Sequence, residues 1–217
     1  MFCTKALPMT HVEFGAFVNV ITSVPFVVTG VAGVLRSRCG LIRCAPGLYF
    51  AVGFSFILVG LGSCFYHWSP SLNHLLWDRL PIALSLAAIA SAVTDIRWKG
   101  LGTVLLWPAI AVAVFAVLYW YETSSRGHED IRPWAFVQVA AVIWIAAAAL
   151  PAASPIDHAM RTILGVYAGG RICEFFEQTI YRYAGFDLGH PIKHLLLAWA
   201  ALLILRALRP KPLLDGF

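Results

Sequence analysis

Seven long apolar segments dominate the sequence and constrain the fold more than any other feature. They cover residues 12–35, 47–66, 78–95, 101–120, 133–152, 158–181 and 190–208, and each is 18 to 24 residues long. A helix of about 20 residues is about 30 Å long, which is the thickness of the hydrocarbon core of a bilayer. Each segment is therefore predicted to be a membrane-spanning α-helix, and the fold class is predicted to be an all-α, polytopic seven-helix bundle.

The connectors between these segments are too short to separate domains. The longer ones, such as YETSSRGHEDIRP and RSRCGLIRCAPG, are polar or contain Pro and Gly, as is typical of loops. We therefore expect residues 1–217 to form a single transmembrane domain.

The composition agrees with a membrane protein. Hydrophobic residues make up 60% of the chain and charged residues only 12%, against about 25% charged residues in an average soluble domain. This excludes a soluble globular enzyme, a disordered chain and a nucleic-acid binder.

The net charge of +5 comes mainly from Lys and Arg near the ends of the apolar segments. Nine of them fall on one side of the membrane and five on the other, so the positive-inside rule predicts an outside N-terminus and a cytoplasmic C-terminus.

Polar residues that are costly in a membrane concentrate at three segment ends. Ser63 and His67 end the second segment, Asp78 opens the third, and His190 and His194 open the seventh. Because successive helices cross the bilayer in alternating directions, all three ends are predicted to lie on the same, extracytoplasmic side. Ionisable groups at such depths usually have a function.

The spacing of these residues predicts a metal site. His190 and His194 are four residues apart, so both project from one face of a helix. A third imidazole from His67 completes the three-histidine set that is typical of catalytic zinc, with the fourth position left to water. Asp78 is placed to orient or deprotonate that water, and the Ser63 hydroxyl to donate to a developing oxyanion.

Other polar and aromatic residues are given structural roles. Arg171 and Glu174 are predicted to form an ion pair inside the bundle, with Glu177 on the same stretch, and contact with the substrate is the alternative. Lys193 is predicted to face a lipid headgroup or to pair. Asn19, Thr22 and Ser23 are expected to make interhelical hydrogen bonds. The tryptophans near segment ends are interpreted as interfacial anchors: Trp68, Trp77, Trp98 and Trp134. The five scattered cysteines lack a CxxC pair, which argues against a disulfide framework or a cysteine-based zinc site.

The two motif regions, GSCFYHWSPSLNHLLWDRLP and GHPIKHLL, resemble the alkaline ceramidase family. That family lies within a wider group of seven-helix zinc membrane hydrolases that includes the progestin and adiponectin receptors. The shared pattern is SxxxH on the second helix, an Asp eleven residues after that His, and HxxxH on the seventh helix. Ser63, His67, Asp78, His190 and His194 match this pattern. The WDRLP and GHxxKH sequences are most similar to the bacterial branch, which implies the bacterial inner membrane.

The resemblance implies an enzyme that binds Zn²⁺ through His67, His190 and His194. It implies hydrolysis of the amide bond of ceramide or a related N-acyl lipid to a fatty acid and a sphingoid base or amine. Asp78 would manage protons, and Ser63 would support the oxyanion. Some animal members also carry a calcium site built from N-terminal acidic residues. Glu13 is the only acidic residue before Asp78 here, so no calcium site is expected.

Two alternatives remain open at this stage. The first is a receptor-like or sensor membrane protein with a zinc site and little or no turnover. Ser63 and Asp78 argue against it, because a purely structural zinc site is usually closed by four protein ligands. The second is a bis-histidine haem protein. Two histidines on one helix together with an acid fit a zinc site better than they fit haem.

Overall fold

The computed structural model describes residues 11–38, 42–149, 155–185 and 188–209. Over these ranges the regular secondary structure is all helical, with eight helices and no strand. The helices are α1 (His11–Arg36), α2 (Pro46–Trp68), α3 (Leu72–Arg97), α4 (Leu101–Ser125), α5 (Arg132–Ala149), α6 (Pro155–Phe175), α7 (Glu177–Ala184) and α8 (Gly189–Ala207). The prediction that the segment before α1 lacks a calcium site falls largely on residues outside these ranges.

Five of the helices are long and apolar enough to cross a membrane: α1 from Gly15 onward, α2, α3, α4 and α8. Helix α5 is also apolar but shorter. Many large apolar side chains on these helices point outward, including Trp107, Phe115 and Phe136. Outward apolar surfaces of this extent are expected for helices that contact lipid. The all-α class is therefore confirmed, and five of the seven predicted segments correspond to helices long and apolar enough to cross a membrane.

Two helix boundaries differ from the predicted segments. The predicted segment 158–181 is divided at Phe176, so that α6 ends at Phe175 and α7 begins at Glu177. Helix α3 starts at Leu72, six residues before the predicted segment. The hydroxyl of Ser71 caps this helix by accepting a hydrogen bond from the His74 amide at 3.1 Å, and such caps favour helix initiation in a polar stretch. Asp78 consequently lies in the second turn of α3.

Helices α1 and α2 pack with their backbones in close approach. A Cβ atom added to Gly30 would lie 2.6 Å from the carbonyl oxygen of Gly53, and one added to Gly60 would lie 2.9 Å from the amide nitrogen of Val27. Small residues allow such contacts between helices in a membrane. The contact holds Ser23 of α1 beside α2.

Helices α2 and α3 approach each other equally closely at Gly62. A Cβ atom at this position would lie 2.0 Å from the carbonyl oxygen of Trp77. Since Gly62 precedes Ser63 and Trp77 precedes Asp78, this glycine brings the two polar residues to the same level of the bundle.

The opposite end of the bundle is closed by a buried carboxylate. Asp95 near the end of α3 accepts hydrogen bonds from the amides of Ala45 and Gly100, both at 2.9 Å. The Arg43 amide donates to the carbonyl oxygen of Leu208 at 2.9 Å. These bonds tie the loops before α2 and α4 to the ends of α3 and α8.

Candidate metal centre and cavity

Three imidazoles converge at one end of the bundle. His67 lies in the last turn of α2, and His190 and His194 lie in the first two turns of α8. Each offers one ring nitrogen, and these three atoms all lie within 4.8 Å of one another. The Nε2 atoms of His67 and His190 are 3.1 Å apart. Nitrogens on a tetrahedral zinc ion with bonds of about 2.0 Å are roughly 3.3 Å apart, so the three histidines lie close enough to hold a metal ion.

Each histidine of α8 is also hydrogen-bonded through its other ring nitrogen. The Nδ1 atom of His190 is 3.1 Å from Glu177 Oε2. The Nδ1 atom of His194 is 3.2 Å from the hydroxyl oxygens of both Thr22 and Ser23. Metal-binding histidines usually have such a partner, which fixes the tautomer and the orientation of the ring. The nitrogen donors and their surroundings therefore fit a metal ion that prefers imidazole ligands, such as zinc.

Ser63 and Asp78 lie beside this cluster. Ser63 is buried, and its hydroxyl is 2.9 Å from the hydroxyl of Ser23. Asp78 interacts with the Ser63 hydroxyl, and both side chains line the same cavity as His190 and His194. The structure thus brings Ser63, Asp78 and two of the predicted ligands to one cavity wall, with His67 in contact with His190.

A second group of charged side chains adjoins the histidines. Arg171 and Glu174 form the predicted ion pair, with 2.5 Å between NH1 and Oε2. The ammonium of Lys193 donates to Glu174 Oε1 at 3.2 Å, so this lysine pairs with α6. Its nitrogen is also 3.1 Å from Nε2 of His190. A divalent cation held by the histidines would repel this ammonium. The ion pair with Glu174 would offset that repulsion.

These polar residues line one part of an elongated cavity of about 310 Å³. The remainder of the wall is mostly apolar, with residues from α2, α3, α6 and α8 such as Phe56, Ile89, Met160 and Ile204. From His190 to Ile204 the cavity follows α8 for about 21 Å, at about 1.5 Å per residue. A cavity of this length with a polar end can take an extended acyl chain and present its polar group to the histidines.

Two functional candidates were not predicted from the sequence. The sequence places Glu177 on the same stretch as Arg171 and Glu174, but it does not predict the contact with His190, because that contact depends on the helix break at Phe176. The sequence marks Arg79 only as one of the positive charges near a segment end. Its guanidinium carbon lies 4.0 Å from the ring centroid of Trp120 and 4.8 Å from that of Trp134.

Trp134 differs from the other tryptophans that are predicted to be interfacial anchors. This side chain stacks against Arg79, lines the cavity and has a buried indole nitrogen. By contrast, the rings of Trp68, Trp77 and Trp98 are exposed, as interfacial anchors should be.

Sequence comparison gives an independent assignment. The family profile described as Ceramidase matches residues 9–173, which is most of the chain. The match contains Ser63, His67 and Asp78 and ends before α8. No curated protein matches the sequence. With a family match over most of its length and a polar cluster that fits a metal ion at the end of an apolar cavity, the chain belongs to the ceramidase family.

Proposed function

We propose that the protein is a zinc-dependent membrane amidohydrolase that cleaves ceramide or a related N-acyl lipid to a fatty acid and a sphingoid base or amine. The ceramidase family match supports a hydrolase that acts on amides. The observation that carries the proposal is the convergence of His67, His190 and His194 within 4.8 Å at the polar end of an apolar cavity. Ser63 and Asp78 are the proposed catalytic residues.

His67, His190 and His194 would hold the ion, leaving one tetrahedral position for water or substrate. When bound, zinc supplies a Lewis acid that polarises the acyl carbonyl and lowers the pKa of water. Imidazole nitrogens suit zinc better than the hard cations magnesium and calcium, which prefer oxygen ligands.

Asp78 accepts a proton from the attacking water as the water oxygen bonds to the acyl carbon. The same carboxyl then returns the proton to the amide nitrogen as the carbon–nitrogen bond breaks, so that fatty acid and amine leave. The Ser63 hydroxyl donates to the carbonyl oxygen as negative charge develops there. Ser23 holds this hydroxyl at 2.9 Å. A single donor of this kind is worth about 3 kcal/mol in a site that excludes water.

The lipid is expected to enter from the bilayer, because the acyl portion of the cavity is lined by apolar side chains. In the proposed topology α6 and α7 together form the sixth of seven membrane spans, and the whole chain is a single domain. The proposed location is the bacterial inner membrane, with the N-terminus outside and the C-terminus in the cytoplasm.

The test compares fatty-acid release and bound zinc in purified wild type, His190→Ala and Asp78→Asn. Matched controls are His128→Ala and Asp130→Asn in the loop between α4 and α5. Both site variants should lose at least about 100-fold in kcat/KM, and only His190→Ala should also lose zinc.

Equal fatty-acid release by wild type and both site variants would contradict the catalytic proposal. Saturable lipid binding without release by zinc-loaded wild type would favour a receptor-like protein instead.

A further inference from the structure

Two hydrogen-bond donors on the cavity wall are buried without an acceptor. They are the NH1 group of Arg79 and the indole Nε1 of Trp134, and neither has a hydrogen-bond partner among the residues that the structure describes. Both side chains line the cavity that contains Asp78 and His190. Buried donors nearly always have a partner, because leaving one unpaired costs about 1–3 kcal/mol. Two such donors in contact on one cavity wall therefore point to a ligand atom that accepts hydrogen bonds.

The surroundings hold the two donors in place. The Arg79 guanidinium lies over the rings of both Trp120 and Trp134. The Trp120 indole donates to Glu129 Oε1 at 2.9 Å, and Arg79 NH1 lies 3.9 Å from the same oxygen. That distance is too long for a hydrogen bond. Arg79 is thus fixed by stacking and by charge, while its NH1 donor stays available to a ligand.

The local charge balance indicates a neutral acceptor. Glu129 lies within ion-pair distance of Arg79, and the adjacent Asp78 interacts electrostatically with the same guanidinium. These two acidic groups offset the positive charge of Arg79. An anionic headgroup would meet their repulsion, whereas a hydroxyl oxygen can accept from both donors without adding charge.

We propose that Arg79 and Trp134 form a specificity subsite for a neutral hydroxyl group on the amine portion of the lipid substrate. The inference rests on the proposed lipid amidase function. Because Arg79 follows Asp78 directly in α3, the subsite lies next to the residue proposed to protonate the leaving amine. A hydroxyl bound there would orient the scissile amide relative to Asp78.

The test measures binding rather than turnover. Full-length protein in detergent is first treated with a chelator and then titrated calorimetrically with two short-chain N-acyl amines. The two lipids differ only on the carbon next to the nitrogen-bearing carbon, which carries a hydroxyl in one lipid and a hydrogen in the other. Wild type should bind the hydroxylated lipid about 3- to 10-fold more tightly, the effect of one or two hydrogen bonds. Trp134→Phe keeps the ring but removes the indole donor, so this preference should fall toward one. Arg79→Lys, which keeps the charge but loses the NH1 geometry, should also reduce it.

Trp144→Phe is the matched control. Trp144 lies on the same helix, but its indole donates to Thr94 Oγ1 at 2.8 Å, and it is not part of the cavity wall. This variant should keep the wild-type preference.

An unchanged preference in folded Trp134→Phe and Arg79→Lys would overturn the proposal. So would tighter binding of a third lipid that carries a phosphate in place of the hydroxyl. Zinc-loaded wild type is assayed separately for fatty-acid release. If the zinc-loaded wild type releases no fatty acid but the binding preference is present, the amidase function is contradicted and the subsite is not.

Discussion

At the scale of single residues, the proposed metal site depends on side chains that form hydrogen bonds with the proposed ligands. Thr22 and Ser23 orient His194, and Glu177 orients His190. The Ser23 hydroxyl also contacts Ser63. One side chain of α1 therefore connects a proposed ligand to the proposed oxyanion donor.

Replacing Glu177 should weaken metal binding without removing a ligand. In Glu177→Ala, His190 loses its carboxylate partner, and loss of such a partner typically lowers metal affinity 10- to 100-fold. The measurement is competition for zinc between the protein and a coloured chelator. Glu122→Ala is the control, because Glu122 forms an exposed ion pair with Arg126 on α4. Wild-type zinc affinity in Glu177→Ala would show that the contact does not support the metal site.

The sequence predicts the convergence of the three histidines better than it predicts the residues that support them. His190 and His194 can be recognised because a spacing of four residues encodes one helix face. Ser63, His67 and Asp78 follow from the alternating direction of successive spans. Glu177 and Arg79 cannot be found in this way, because their roles depend on a helix break and on aromatic stacking that no local spacing encodes.

At the scale of helices, glycines set the distances between backbones. Gly62 allows α2 to contact the start of α3, and Gly30 and Gly60 allow α1 to contact α2.

The lengths of the apolar segments predict most helices, but not the early start of α3 at Leu72. Its first turn contains Asn73 and His74 and is capped by Ser71, and hydropathy does not detect such a cap.

A methyl group at Gly62 should disrupt the site. In Gly62→Ala the new Cβ would lie 2.0 Å from the Trp77 carbonyl oxygen, so α2 and α3 must separate and Asp78 must move away from Ser63. Overpacking of this kind costs about 1–3 kcal/mol of stability. Thermal melting and fatty-acid release measure the two effects. Gly165→Ala is the control, because no atom lies within 4 Å of its added Cβ. Equal melting temperatures for both variants would contradict the close packing.

The loop before α2 offers a pH-dependent test of the fold. Burial and the nearby Asp95 carboxylate raise the pKa of the Cys44 thiol to about 11. Cys44 should therefore resist alkylation at pH 8 in folded protein and react readily after denaturation, as peptide mass spectrometry can measure. Because an unfolded thiol ionises near its ordinary pKa of 9.0, ionisation in the unfolded chain favours unfolding as the pH rises above that value. Rapid labelling of folded protein at pH 8 would contradict the buried position of Cys44.

At the scale of the whole molecule, the bundle has two different ends. One end carries the histidines, Asp78 and the charged residues of α6 and α8. The other is closed by hydrogen bonds to Asp95 and between Arg43 and Leu208. The cavity extends along α8 from the first end toward the second. The proposed lipid substrate would therefore lie within the bundle with its polar group at the histidines.

Metal removal should destabilise the whole bundle, because the three histidines join α2 to α8. Adding zinc at 100 times its dissociation constant to chelator-treated protein should increase stability by about 2.7 kcal/mol. Thermal melting with and without zinc measures this change. His194→Ala should lose most of the response, and His128→Ala should keep it. Stabilisation of His194→Ala equal to that of wild type would place the zinc elsewhere.

His67 and His190, which face each other across the site, are 123 residues apart in the sequence. His190 lies in α8, the last helix in the part of the chain that the structure describes. During synthesis the ribosome must therefore deliver α8 to the membrane before the three nitrogens can meet. A nascent chain that has inserted only its earlier helices lacks two of the three imidazoles. In the proposed enzyme, the addition of α8 to the helices before it is thus the step that completes the site for lipid cleavage.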